Sequence, residues 1–361
     1  MKIESKTSFV IIGFALFAMF FGSGNLIFPL DVGREAADGW AVAALGFLTT
    51  AVLVPFLGIV AMVVYRGHTQ QFFSILGTKL ALVITAVVLT VWIPLGSGPR
   101  CIVLAASSLA THTQIPPMWL FSLIWSLAAS IVVYKRGRML DILGFILTPL
   151  LLVCLGLTII LGFQSESHLQ ASCTQAGSLF FLGAKEGYNT MDLIASFFFS
   201  ASIIEILRQS AKGKSHHPLT ITLKAGIIGI SLLAAVYLGL MSLAAHNCEL
   251  LGDTPKDQLL ATVAKKVLGP ELGLIAIGAI FLACFTTFVA LVVVFAEFLA
   301  TFIKSQKICR ILTLLLCYAM SLTGLEGITA ITQPVLQAFY PLLILLIFIN
   351  LFRHFYYFRG I

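Results

Sequence analysis

A chain of 361 residues, 59% of them hydrophobic and only 10% charged, with a mean hydropathy of +1.04, lies outside the range of soluble domains, where about 25% of residues are charged. This composition excludes a soluble enzyme or binding module. The net charge of +7 therefore reports orientation in a membrane rather than a nucleic-acid partner.

Crossing ~30 Å of hydrocarbon takes about 20 apolar residues. Ten such stretches are predicted, at 9–30, 40–64, 80–110, 117–134, 140–163, 189–207, 219–245, 272–303, 311–325 and 334–352. In the first, Gly22-Ser23-Gly24-Asn25 interrupts an apolar run from Phe9 to Phe21 that resumes at Leu26-Ile27-Phe28-Pro29. Two glycines and two residues that favour local side chain to backbone bonds unwind the helix where lipid cannot satisfy its amides, so this backbone must line a protein cavity. Amides freed at a half-helix N-terminus attract a carboxylate, and carbonyls freed at the other half attract a cation or an ammonium group. The span has no cleavage site of the signal-peptide kind and is expected to stay in the protein.

The third span carries Arg100, bracketed by Pro94, Gly96-Ser97-Gly98 and Pro99. A guanidinium near a span centre costs about 2.5 to 3.5 kcal/mol on insertion, so Arg100 is expected to pair with Asp192 or Glu186 and to act in gating. A polar stretch at 164–175 divides the chain, giving a first five-helix repeat over 1–163, a connecting loop over 164–188 and a second repeat over 189–361. The expected fold is an all-α polytopic membrane protein of ten helices, in two inverted repeats with helices one and six broken. The break in the sixth span is placed at Glu186 to Asp192, with a deeper alternative around Ser196, Ser200 and Ser202.

Between spans seven and eight, Thr254-Pro255-Lys256-Asp257 has the pattern of a helix start. Leu259, Leu260, Val263 and Val267 follow on one face and Lys265 and Lys266 elsewhere, which suggests an amphipathic helix that either lids the outer mouth or only covers loop ends. In span eight, the adjacent hydroxyls of Thr286 and Thr287 either back-bond to their own helix or offer oxygen ligands to Na⁺. Glu205, Glu297 and Asp141 near inner span ends have Arg208, Lys304 and Arg138 as pairing partners. Phe198 and Phe199, among other phenylalanines, flank the breaks and can form an apolar pocket.

Sixteen Lys and Arg residues fall on one side of this topology and five on the other, with Arg100 inside a span, which assigns both termini to the cytoplasm. Cys173 and Cys248 fall in outer loops and can pair if that compartment is oxidising. All seven histidines fall in loops or tails, and no zinc-like spacing or hydrolase signature occurs; an enzyme and a resident cofactor are not expected. A channel is disfavoured by the lack of a repeated filter motif or a ring of charges.

Phe20-Phe21-Gly22-Ser23-Gly24-Asn25-Leu26-Ile27-Phe28-Pro29 resembles the opening signature of the branched-chain amino acid:cation symporter family, and more distantly the Gly-x-Gly-Asn break of sodium-coupled neurotransmitter-type symporters. Pro94 to Arg100, Asp141 with Gly144 and Thr148-Pro149, Glu186 to Asp192, and Thr286-Thr287 with Glu297 are similar to further family positions. The resemblance implies an inverted-repeat fold like that of the amino acid-polyamine-organocation superfamily. Leucine, isoleucine or valine would bind midway between spans one and six and be imported across the bacterial cytoplasmic membrane with Na⁺ or H⁺; other apolar amino acids such as methionine are the alternative. By the same analogy the substrate contacts Gly22, Ser23, Gly24, Asn25, Phe198, Phe199 and Ser200, its carboxylate on the amides around Ser23 to Leu26 and its ammonium on carbonyls of spans one and six. Na⁺ would lie between the Phe20 or Gly22 carbonyls and the hydroxyls of Thr286 and Thr287. Two departures stand out: family members usually carry about two further C-terminal helices, and Phe199-Ser200 replaces a Phe-Gly, which is expected to narrow the pocket and stiffen the break.

Overall fold

The computed structural model describes residues 5–134, 148–163, 175–210 and 218–358, and among these there is no β-strand. Arg138, Asp141, Gly144 and Cys173, and with them the expected Asp141 pair and the Cys173–Cys248 bridge, lie outside the described residues.

The chain opens on a broken helix, α1 (Ser5–Phe20) and α2 (Ser23–Ala36), parted at Gly22, whose backbone is extended with φ −109° and ψ −159°. The next span consists of α3 (Trp40–Leu48) and α4 (Val54–Val64), joined by a widened π turn over Thr49–Leu53. A short α5 (Thr69–Phe73) leads to α6 (Thr78–Trp92) and α7 (Gly98–Ala110), joined by a second π turn over Ile93–Ser97. Both wide turns have a local cause. Pro55 and Pro94 supply no N–H, and each ring crowds the carbonyl four residues before it, so the helix opens by one residue there.

Helices α8 (Met118–Tyr134) and α9 (Thr148–Gly162) precede the second broken helix, α10 (Ala176–Asn189) and α11 (Asp192–Ser210), bent by 40° at the break. Met191, between the halves, takes φ +65°, a left-handed conformation that disfavours a side chain by about 1 to 2 kcal/mol. The first of the two expected break positions is the one observed, and Ser196 to Ser202 are helical. After α12 (Pro218–His246) and α13 (Cys248–Leu251), α14 runs from Leu259 to Leu299 with a kink at Gly269 (φ +79°). Its first limb is the expected amphipathic helix, with Leu259, Leu260 and Val263 buried and Lys265 and Lys266 exposed. Helices α15 (Gln306–Ser321) and α16 (Gly324–Phe358) complete the described chain, turned by 113° at Gly324. Four stretches, Ser23–Val64, Thr78–Ala110, Pro218–His246 and Gly273–Leu299, are long and apolar enough to cross a membrane, and the two bent pairs add two more.

The broken helices exchange partners across the molecule. Both α1 and α2 lie along α12, whereas α10 lies along α3 and α11 along α4. The α10–α3 seam is as close as backbones allow: a Cβ on Gly183 would meet the Ala43 carbonyl oxygen at 1.8 Å, and one on Gly46 would meet that of Phe180 at 2.0 Å. Small residues permit such approach where no hydrophobic force drives helices together, and the Thr50 hydroxyl bridges the seam to the Ala184 carbonyl at 2.9 Å. We therefore expect Gly183→Val to lower the thermal unfolding temperature of the detergent-solubilised protein clearly. Gly156→Ala, where nothing lies within 4 Å, should leave it unchanged or raise it, since alanine favours helix by about 1 kcal/mol.

Candidate functional site

The backbone around Gly22 is satisfied locally. Its amide donates to the Phe20 carbonyl at 2.8 Å and to Asn25 Oδ1 at 3.2 Å. Glycine is required here because a Cβ would lie 2.8 Å from Thr287 Cγ2. Ser23, Gly24 and Asn25 form the first turn of α2, where amides have no intrahelical acceptor and the helix dipole is positive. A Cβ on Gly24 would come within 3.3 Å of the Thr190 backbone, so the two breaks lie directly against each other.

Asp192 begins α11 and is buried, with 1% of its surface exposed. Asn25 Nδ2 donates to both of its oxygens, at 2.9 Å each, and the Tyr237 hydroxyl on α12 donates to Oδ2 at 2.6 Å. Asn25 Nδ2 also contacts the Tyr237 hydroxyl. The orientation of the Asn25 amide follows from these partners, because only its oxygen can accept from Gly22 and only its nitrogen can donate to a carboxylate. One side chain thus joins both breaks and a third helix.

These groups line a narrow, nearly closed cavity. Backbone and polar side chains of residues 22–25 and 190–192 form one wall, with Ser97 and Cys101 from the third span. Met19, Phe20, Trp92, Ala195, Phe199 and Leu291 form the apolar remainder. Phe199 packs edge-on against Phe20 at 5.8 Å and tilted against Trp92 at 5.6 Å. The wide turn at Ile93–Ser97 delivers Trp92, Ser97 and Cys101 to the cavity together, and the Cys101 thiol lies 3.8 Å from the Ser23 hydroxyl.

Several expected residues take other places. Ser200 does not line the cavity; its hydroxyl bonds to the carbonyls of Ser196 and Phe197 on its own helix, so it neither narrows the pocket nor sits at the break. Phe198 lies one layer behind, stacked on Trp92 at 6.0 Å. Arg100 pairs with neither expected carboxylate: its guanidinium lies 5.9 Å over the Phe28 ring, and Asp192 is held by Asn25 and Tyr237. Glu186 accepts from Asn189 Nδ2 at 2.8 Å. Thr286 and Thr287 do reach the first span, but at Ala18. Their hydroxyls meet the Ala18 carbonyl at 3.2 and 3.0 Å, and Thr286 also meets that of Ala283 at 3.0 Å. The Phe20 carbonyl is instead taken by the Gly22 amide.

One turn beyond Phe28, Asp31 is buried and pairs with both Arg34 and Lys256. Arg34 also donates to the carbonyls of Gly252 at 3.2 Å and Thr254 at 2.8 Å, so α2 is latched to the loop leading into α14. Burial alone pushes the Lys256 ammonium down, but Asp31, with further negative charge at Glu186 and Glu35, outweighs it and holds the group above its ordinary value. Tyr237, Trp92 and Ala18 were not foreseen from sequence. Tyr237 had a signal, as a hydroxyl-bearing side chain in an otherwise apolar run.

Residues 5–359 match the family described as branched-chain amino acid transport protein. The chain belongs to that family. It is 30% identical to the branched-chain amino acid permease BrnQ of Bacillus subtilis, over 97% of this chain and 82% of that protein. It is likewise 30% identical to BrnQ of Corynebacterium glutamicum, over 96% and 81%. Among solved structures, the nucleobase-cation-symport-1 transporter MHP1 in a closed conformation with bromovinylhydantoin superposes with a TM-score of 0.63 at 15% identity, covering 94% of this chain and 77% of that one. MhsT in complex with L-phenylalanine superposes equally well, at 0.63 and 14% identity, covering 94% and 87%. The chain therefore shares the fold of these transporters.

In this family member Asn25 must both accept and donate. Asn25→Asp places a second carboxylate against Asp192, and an uncompensated buried charge is worth about 3 to 5 kcal/mol. Transport should fall by more than ~100-fold at pH 7 and recover in part as the pH is lowered, when one of the two carboxyls takes up a proton and becomes a donor again. A pH profile of uptake by the variant and the parent checks this.

Proposed function

We propose that this protein imports branched-chain amino acids across the bacterial cytoplasmic membrane, driven by cotransport of a cation. The observation that carries the reading is the cavity at the two facing helix breaks, with first-turn amides of α2 on one wall and an apolar, aromatic-lined volume on the other. A carboxylate is stabilised on those amides without a charged partner, and the apolar wall fits a short aliphatic side chain. The family relatives carry names of branched-chain amino acid permeases, which supports the same substrate class.

The exchange of partners between the two broken helices supports an architecture of ten helices in two inverted repeats, rocking about the breaks to alternate access. In this conformation the Asp31, Arg34 and Lys256 contacts close the outer end. Both termini face the cytoplasm on this reading, as the Lys and Arg distribution requires.

For the coupling ion, the oxygens of Ala18, Ala283, Thr286 and Thr287 converge with no titratable side chain among them. Neutral oxygen donors suit a hard monovalent cation held weakly enough to be released, which favours Na⁺ over H⁺ as the cotransported ion at this place.

Uptake of labelled leucine into cells lacking their own transporters, with Na⁺ replaced by choline and separately with the proton gradient collapsed, tests the reading. Saturable uptake that needs Na⁺ is expected, and Thr287→Val should raise the Na⁺ concentration for half-maximal uptake. Failure of leucine, isoleucine, valine and methionine to enter or to compete removes the amino acid reading. Uptake insensitive to Na⁺ but abolished with the proton gradient overturns the ion assignment.

Side-chain preference should follow the cavity wall. Phe199→Ala is expected to shift competition toward larger substrates such as methionine and phenylalanine, whereas Ser200→Gly leaves the rank order unchanged.

A further inference from the structure

Asp192 presents a carboxylate to the cavity that no cationic side chain of the described residues neutralises. The ion pairs at hand, Arg34 and Lys256, are both with Asp31, and the buried Arg100 is at the Phe28 ring. Leaving a charge uncompensated in a low dielectric costs several kcal/mol.

The hydrogen bonds around Asp192 select its ionised form. Asn25 Nδ2 and the Tyr237 hydroxyl all point donors at it, and the one acceptor atom of the Asn25 amide is already taken by the Gly22 N–H. A neutral carboxylic acid would have to donate to a hydroxyl that is already engaged: Tyr237 would have to give up its own bond to Asp192, and Thr190 already donates to the Gly187 carbonyl and accepts from the Asp192 amide.

The cavity is therefore polarised. Its α2 side carries N–H donors at the positive end of a helix, and its α11 side carries an anion. Asn25 belongs to both, because its backbone lies in the first turn of α2 and its side chain holds Asp192. A ligand complementary to that arrangement has a carboxylate and an ammonium on the same small centre.

We propose that Asp192 binds the ammonium group of the substrate, so that the site selects α-amino acids and rejects deaminated acids with the same side chain. This rests on the reading of the cavity as an amino acid site. It differs from recognition of the ammonium by backbone carbonyls alone, since the discriminating group is a side chain that can be replaced.

The test uses the full-length protein in lipid nanodiscs, with binding of L-leucine and of 4-methylpentanoate, the same skeleton without the amino group, measured by calorimetry or thermal shift. The parent should bind leucine at least ~100-fold more tightly than 4-methylpentanoate, as expected where a site built to hydrogen-bond a group loses its partner. Asp192→Asn should weaken leucine by at least ~30-fold, the range for truncating a buried charge pair, and leave 4-methylpentanoate unchanged, so that discrimination collapses. A merely structural role would weaken both ligands together and overturn the proposal. So would undiminished leucine binding, or a variant whose only change is in the Na⁺ or pH dependence, which would assign Asp192 to the coupling cation. Where Asp192→Asn is not monodisperse, Asp192→Glu takes its place: selective loss of leucine supports the proposal, and parallel loss of both ligands overturns it. A parent that binds no amino acid at all refutes the functional reading instead, and is recognised before any variant is made.

Discussion

The structure depends on one constraint: two helices are broken inside the hydrocarbon, and every backbone group released there must find a partner within the protein. Each break satisfies its own released amides locally, and side chains then tie the two breaks together. Gly22 and Gly24 bring the first break against Thr287 and Thr190, and Asn25 then ties the Gly22 amide to the Asp192 carboxylate and the Tyr237 hydroxyl. Few residue types can occupy position 25, because the side chain must accept on one edge and donate on the other.

The cavity follows from that mutual arrangement. Because the breaks face each other, the amide-bearing end of α2 and the carboxylate at the start of α11 open onto the same space, and the third span closes it with Trp92, Ser97 and Cys101. The proline-induced wide turn at Ile93–Ser97 is thus part of the site rather than an irregularity. The same helix α2 that supplies amides inside the cavity carries Asp31 and Arg34 at its far end. One half-helix therefore joins the cavity to the latch at Lys256.

Much of this was legible in the chain because the signals are local. A Gly-x-Gly-Asn within an apolar run, turn formers at Glu186 to Asp192, and a Thr-Pro-Lys-Asp helix start each act through backbone preference over a few residues, and each marks the feature observed. Pairings across the fold were read less well. Arg100 was matched to Asp192 or Glu186 because they were the carboxylates at similar depth, but depth does not specify azimuth around a helix. The resemblance implies a pocket position for Ser200, where it stands in place of a glycine, yet successive helical residues are turned by about 100°, and its hydroxyl points into its own helix. The Thr286-Thr287 pair does meet the first span, displaced from the expected Phe20 and Gly22 carbonyls to that of Ala18.

What the sequence determined by itself was the membrane environment, the position of the first helix break and the family, since hydropathy and backbone propensity are additive along the chain. What only the tertiary structure decided was partnership: that Tyr237 completes the Asn25–Asp192 cluster, that Trp92 faces Phe199, and that Asp31 holds Lys256 across more than two hundred residues. Those contacts depend on rotation and register between helices packed side by side, and neither is encoded by the period of any single segment.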